Sequence, residues 1–77
     1  MKLKEMRLKS GYSQKELAEL VGINFRSYQN YEQGVRKIDN TDIATLLNIC
    51  IILKCNIKDI IEDENTIELL DRYSKIN

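Results

Sequence analysis

The segment Ser13–Gly34, SQKELAELVGINFRSYQNYEQG, decides the fold. Ser13 and Glu16 form an S-x-x-E capping box, in which hydroxyl and carboxylate each satisfy a free backbone donor at a helix start. Leu17, Ala18 and Val21 then recur on one helical face. Gly22 supplies the positive φ that ends this helix, and Asn24 caps a second one of about 25–33 that closes at Gly34. Counting from Gln14, the apolar residues Leu17, Val21, Ile23, Tyr28 and Tyr31 fall at offsets four, eight, ten, fifteen and eighteen, with Ala18 at five and Gly22 at nine. Two helices crossing steeply through a tight turn need large apolar side chains at the first set, a small residue at the crossing and glycine in the turn, which is a helix-turn-helix.

Working outward, helical periodicity continues on both sides. Leu3, Met6 and Arg7 share a face of a first helix of about 2–10, which stops at Gly11. Beyond a polar loop, Asn40 or Thr41 is placed to cap a fourth helix whose Ile43, Leu46, Leu47, Ile49, Cys50 and Leu53 are apolar on nearly all sides, the pattern of a central core helix. Asn56 caps a short fifth helix carrying Ile57, Ile60 and Ile61 at helical spacing. Asn65 and Glu68 offer another N-x-x-E box ahead of Ile67, Leu69, Leu70, Tyr73 and Ile76, a sixth helix in the tail. The expectation is an all-α, compact five-helix domain over 1–63, with the helix-turn-helix at 14–33 and a helical tail at 64–77 that either lids the domain or supplies a dimer seam.

A chain of 77 residues holds one small domain, and its 43% hydrophobic and 31% charged residues, without proline, fit a folded helical protein. Net charge is zero, yet its distribution is polar: residues 1–37 carry eight basic and four acidic side chains, and residues 38–77 the reverse. One positive end suits docking on phosphate. Cys50 and Cys55, without histidine, match neither a zinc site nor a disulfide scaffold, and their spacing of five puts them on different sides of a helix turn. No metal and no cofactor are expected. The start lacks the apolar region of a signal peptide, and the longest apolar run, Ile49–Leu53, is too short for a bilayer, so a cytoplasmic protein is expected. Without histidine or a glycine-rich phosphate loop, an enzyme is unsupported.

Through SQKELAELVGI at 13–23, Y-x-x-Y-E-x-G at 28–34 and the series Leu46, Ile49, Leu53, Ile57 and Ile60, the sequence resembles the Cro/repressor-type (XRE-like) helix-turn-helix family over about residues 3–62. That resemblance implies a lambda-repressor-like domain that dimerises on operator DNA with its third helix in the major groove. It also implies that Gln14 holds a backbone phosphate, and that Arg7 pairs with Glu32 to brace the first helix against the third. Lys15, Arg36 and Lys37 complete the expected phosphate contacts, although the loop at 34–41 is longer than the family's and lacks its proline.

Elementary geometry reaches the same surface. With Tyr28 and Tyr31 turned into the core, Asn24, Phe25, Arg26, Ser27, Gln29 and Asn30 lie wholly or partly on the outer side of the third helix. Arg26 has the two donors for guanine, Asn30 the donor and acceptor for adenine, and Phe25 a ring for a thymine methyl unless it folds back on the turn. The expected partner is a near-palindromic duplex operator bound by a homodimer, with no membrane and no small-molecule effector. The alternative is an antitoxin or protein-binding adaptor that uses the same fold.

Overall fold

A computed structural model describes residues 2–76; Met1 and Asn77, the outermost residues of the expected domain and tail, lie outside the described residues. Five α-helices follow one another: α1 (Lys2–Ser10), α2 (Gln14–Val21), α3 (Phe25–Gln33), α4 (Ile43–Leu53) and α5 (Glu64–Ser74), with single 3-10 turns at Ile38–Asn40 and Ile57–Asp59. The all-helical expectation holds.

The motif forms for the reasons its residues supply. Ser13 Oγ accepts the Glu16 N–H at 3.1 Å, and Glu16 Oε1 accepts the Ser13 N–H at 2.9 Å. α2 buries Leu17, Ala18 and Val21. Gly22, at φ 85°, turns the chain so that its own N–H and that of Ile23 both reach the Ala18 carbonyl. Asn24 Oδ1 then accepts the Arg26 N–H at 2.8 Å and starts α3. Gly34, at φ 79°, ends it.

Leu17, Tyr28, Ile49 and Ile60 are fully enclosed at the centre, joined by Leu3, Ile38, Leu46, Leu53 and Ile61. Each such side chain contributes about 1.5–3 kcal/mol by leaving water. α2 packs on α3 and on α4, and α1 packs on α4 and on the 57–59 turn. Lys2 fastens the start of α1 to that turn's exit, its N–H reaching Glu62 Oε1 at 2.8 Å and its Nζ the Ile61 carbonyl at 2.9 Å.

Four local expectations are corrected. Neither Asn40 nor Thr41 caps α4: burial of Ile38 draws residues 38–40 into a 3-10 turn, and Asp42 takes the cap, accepting the Thr45 N–H at 3.1 Å. The expected fifth helix is reduced to one 3-10 turn, in which the Asp59 carboxylate accepts the Asn56 N–H at 2.9 Å. Asn65 is not the cap of the tail helix; Asp63 is, through Thr66. Cys50 and Cys55 are not separated: Lys54 adopts a left-handed φ of 55°, the Cys55 N–H bonds the Cys50 carbonyl at 3.0 Å, and both cysteines line one groove. Burial pushes the Cys50 thiol up to about 12 and the Cys55 thiol up as well, as befits core side chains.

α4 is less central than its composition suggests. Leu46, Ile49, Cys50 and Leu53 are buried, whereas Ile43, Leu47 and Ile51 form an exposed stripe, with Ile51 71% accessible. α5 turns Ile67 and Leu70 toward the core and leaves Leu69 and Tyr73 exposed, as is Ile76 just beyond its end. Between the two helices lies an apolar groove lined by Leu47, Ile51, Ile57, Leu70 and Tyr73.

Candidate nucleic-acid interface

At the base of the motif sits one carboxylate with four donors. Glu32 Oε2 accepts from Arg7 Nε at 2.6 Å and from the Tyr28 hydroxyl. Its Oε1 accepts from Arg7 Nη2 at 3.2 Å and from Gln14 Nε2 at 3.0 Å. Arg7 adds a bond from Nη1 to the Tyr12 carbonyl at 2.9 Å, so α1, its exit loop, α2 and α3 meet at a single point. Both ionic side chains are almost wholly inaccessible. Burial alone would raise the Glu32 pKa, but the hydrogen bonds from Arg7, Tyr28 and Gln14, with the Arg7 charge, outweigh it and hold the carboxyl below its ordinary value. The bond to Glu32 raises Arg7, and burial, followed by the bond to Glu32, raises the Tyr28 hydroxyl far above an ordinary tyrosine. The residues are therefore a carboxylate, a guanidinium and a neutral phenol.

Above this hub lies the outer face of α3. Phe25 and Arg26 stand exposed on its first turn, and Phe25 does not fold back fully, being 42% accessible. Asn24 is exposed at the helix start, and its Oδ1 is committed to the cap, which leaves its amide N–H groups to meet a ligand. Ser27, Gln29 and Asn30 follow along the same helix, all three half-buried. Tyr28 is enclosed; Tyr31 is only half-buried and donates its hydroxyl to Thr41 Oγ1 at 3.0 Å.

Lys15 is exposed beside Gln14 at the start of α2. Arg36 and Lys37 are exposed in the loop after α3, where the Val35 and Arg36 N–H groups bond the Asn30 carbonyl. These two cations share a shallow cleft with Glu62, Asp63 and Glu64, whose carboxylates compete with any phosphate for them. Asp39 closes that cleft, accepting the Asp63 N–H at 3.1 Å and the Glu62 N–H at 3.4 Å.

Sequence reasoning missed three members of this arrangement: the Tyr28 hydroxyl, the inward bond of Gln14 and the Asp39 clamp. Tyr28 and Glu32 are an i, i+4 pair on one helix, so that contact had a signal. The other two join separate elements and had none.

A helix-turn-helix family model matches residues 3–60. The HTH-type transcriptional regulator ImmR of Bacillus subtilis is 34% identical over 73 residues, covering 92% of this chain and 58% of ImmR. Putative HTH-type transcriptional regulatory proteins of Pyrococcus furiosus and Thermococcus kodakarensis are 52% identical over 46 residues and 44% over 45, each match covering 14% of the relative. The chain thus spans little more than half of ImmR and a small part of the archaeal proteins. No solved structure matches. Among the described residues, no helix is long and apolar enough to cross a membrane. With the motif, its caps and the matched residues in agreement, this chain belongs to the XRE-type helix-turn-helix family.

Proposed function

We propose that this chain binds duplex DNA at a specific sequence and regulates transcription in the cytoplasm, acting as a repressor. The observation that carries the reading is the gathering of α1, α2 and α3 on Glu32 behind an outward face of Asn24, Phe25, Arg26, Ser27, Gln29 and Asn30. A recognition helix must be held rigidly while its outer side chains stay free, and this division of labour is built into α3. Phosphates are held by Gln14 and Lys15 at the start of α2, with Arg36 and Lys37 as weaker partners because of their acidic neighbours.

The functional unit is a homodimer on a near-palindromic operator, its two α3 helices about one turn of DNA apart. The exposed Ile43, Leu47 and Ile51 of α4, with Leu69 and Tyr73 of α5, form a surface more apolar than a lone small domain gains from displaying. Selection from a random duplex pool at two salt concentrations tests the reading: one enriched motif, bound less tightly at high salt, is expected. Binding that enriches no sequence would overturn it.

A further inference from the structure

We propose that Cys50 and Cys55 form a two-thiol site that exchanges with a low-molecular-weight disulfide and closes into a bridge across the end of α4. The site is independent of the DNA-binding reading and involves no residue of α3.

The backbone brings the two cysteines together. α4 ends in a loop in which the Lys54 N–H bonds the Ile51 carbonyl at 3.3 Å and the Cys55 N–H bonds the Cys50 carbonyl at 3.0 Å. With Lys54 left-handed at φ 55°, this is the doubly bonded helix end whose first and last residues frequently pack side chain on side chain. Here both of those residues are cysteine, and both are free. The 3.0 Å bond also sets a limit, because standard bond lengths keep the two Cα atoms within about 7 Å, a value reached only if both lie in line with the bond. Disulfides span Cα separations of about 4.4–6.8 Å, so closing the bridge requires little backbone movement. Both cysteines line the groove between α4 and α5, and Cys55 is a cause, after burial, of the raised Cys50 thiol.

Their unequal burial orders the chemistry. Cys50 is 6% accessible and Cys55 is half-buried. Cys55, as thiolate, attacks one sulfur of a small disulfide such as oxidised glutathione; the reagent's S–S bond breaks, and one small thiol leaves with the proton that Cys55 gave up. Cys50, as thiolate, then attacks the Cys55 Sγ and displaces the second small thiol, which takes the Cys50 proton. Two protein thiols are oxidised to one bridge, and one small disulfide is reduced to two thiols. The second step is intramolecular and gains from proximity. Burial disfavours both thiolates, so the exchange is slow, and the pair follows the prevailing thiol–disulfide balance rather than a brief oxidant pulse. Once closed, the bridge holds Lys54 in its left-handed backbone and fixes the joint between α4 and the 57–59 turn, on which α1 packs. Folding and bridging therefore favour one another to the same extent.

Incubation of the full chain in mixtures of oxidised and reduced glutathione, native and in urea, followed by an acid quench and mass spectrometry, tests this. The native chain should lose two hydrogens and carry no glutathione, with an equilibrium constant for bridging about 10-fold above that of the unfolded chain. The bridged chain should melt about 5–10 °C above the reduced one. Cys50→Ala should stop at one glutathione on Cys55, and Cys55→Ala should stay unmodified while it is folded. The proposal is overturned if the native chain rests as a mixed disulfide with glutathione, joins a second chain through sulfur, or stays reduced at ratios that modify the unfolded chain. A bridged chain that melts no higher than the reduced one overturns it as well.

Discussion

At the scale of single residues, Glu32 does most to determine what the others do. A buried carboxylate with one missing donor is costly, because the group stays charged while its partner is gone. Tyr28→Phe removes only the hydroxyl donor and keeps the ring that fills the core. It should cost about 1.5–3 kcal/mol in urea unfolding, the range for a hydrogen bond to a charged group, with the denaturant slope unchanged. Arg7→Met strips two donors and the balancing charge, and should cost more, about 3–5 kcal/mol. Equal losses for the two would mean that the hub is held by packing alone. The pH dependence follows from the direction of the Glu32 shift. Its folded pKa lies below the ordinary 4.5, so its contribution is fully present above that value and disappears as pH falls through the depressed one. Stability should therefore be flat above about pH 5.5 on this account and decline below 4.5, and a chain losing stability between about pH 8 and about pH 6 would contradict it.

At the scale of elements, legibility tracked how unambiguous the terminal chemistry was. α2 and α3 were readable at both ends because one capping box, one asparagine and two glycines left no competing choice. α4 follows three consecutive residues able to cap, Asn40, Thr41 and Asp42, and the choice among them was made by the buried Ile38, a tertiary fact. Asp63 prevailed over Asn65 in the same way, two residues earlier than the N-x-x-E pattern suggested. The outer face of α3 was readable from periodicity, whereas the bond from Gln14 to Glu32 beneath it was not, since the two residues meet only once the two helices cross. The end of α4 gave no warning at all, because a left-handed cap is normally glycine or asparagine and here it is Lys54, at φ 55°. The strain at this lysine can be relieved. Lys54→Gly should stabilise the domain by about 1 kcal/mol, because glycine adopts this backbone without the Cβ penalty. In a domain of this size the melting temperature should rise by about 4–8 °C. No rise, or a fall, would show that the lysine stem contributes packing that outweighs the strain.

At the scale of the whole molecule, the tail could be read from sequence as either lid or seam, and the fold lids the domain with one face of α5 and leaves the other face exposed. Ile67 and Leu70 lie against the core, while Leu69 and Tyr73 stay exposed, as do Ile43, Leu47 and Ile51 of α4. The Asp39 clamp ties the start of this helix to the loop that follows α3, which links the proposed pairing surface to the proposed reading surface. The charge layout agrees, since the basic half carries the motif and the acidic half carries the proposed pairing surface. Under that arrangement, a charge placed in the apolar face should act on DNA binding from a distance. Ile51→Glu puts a carboxylate on a residue that is 71% accessible in the single chain, so its folding should be little affected. Two copies facing one another would each have to bury that carboxylate, and sedimentation should find the variant monomeric where the wild type is dimeric. Binding to a two-half-site operator should then weaken by about 10²–10⁴-fold, because the second half-site no longer benefits from the first, while binding to an isolated half-site is unchanged. A variant that stays dimeric and binds the full operator normally would move the seam elsewhere; one that loses half-site binding too would show that the face supports α3 and does not pair.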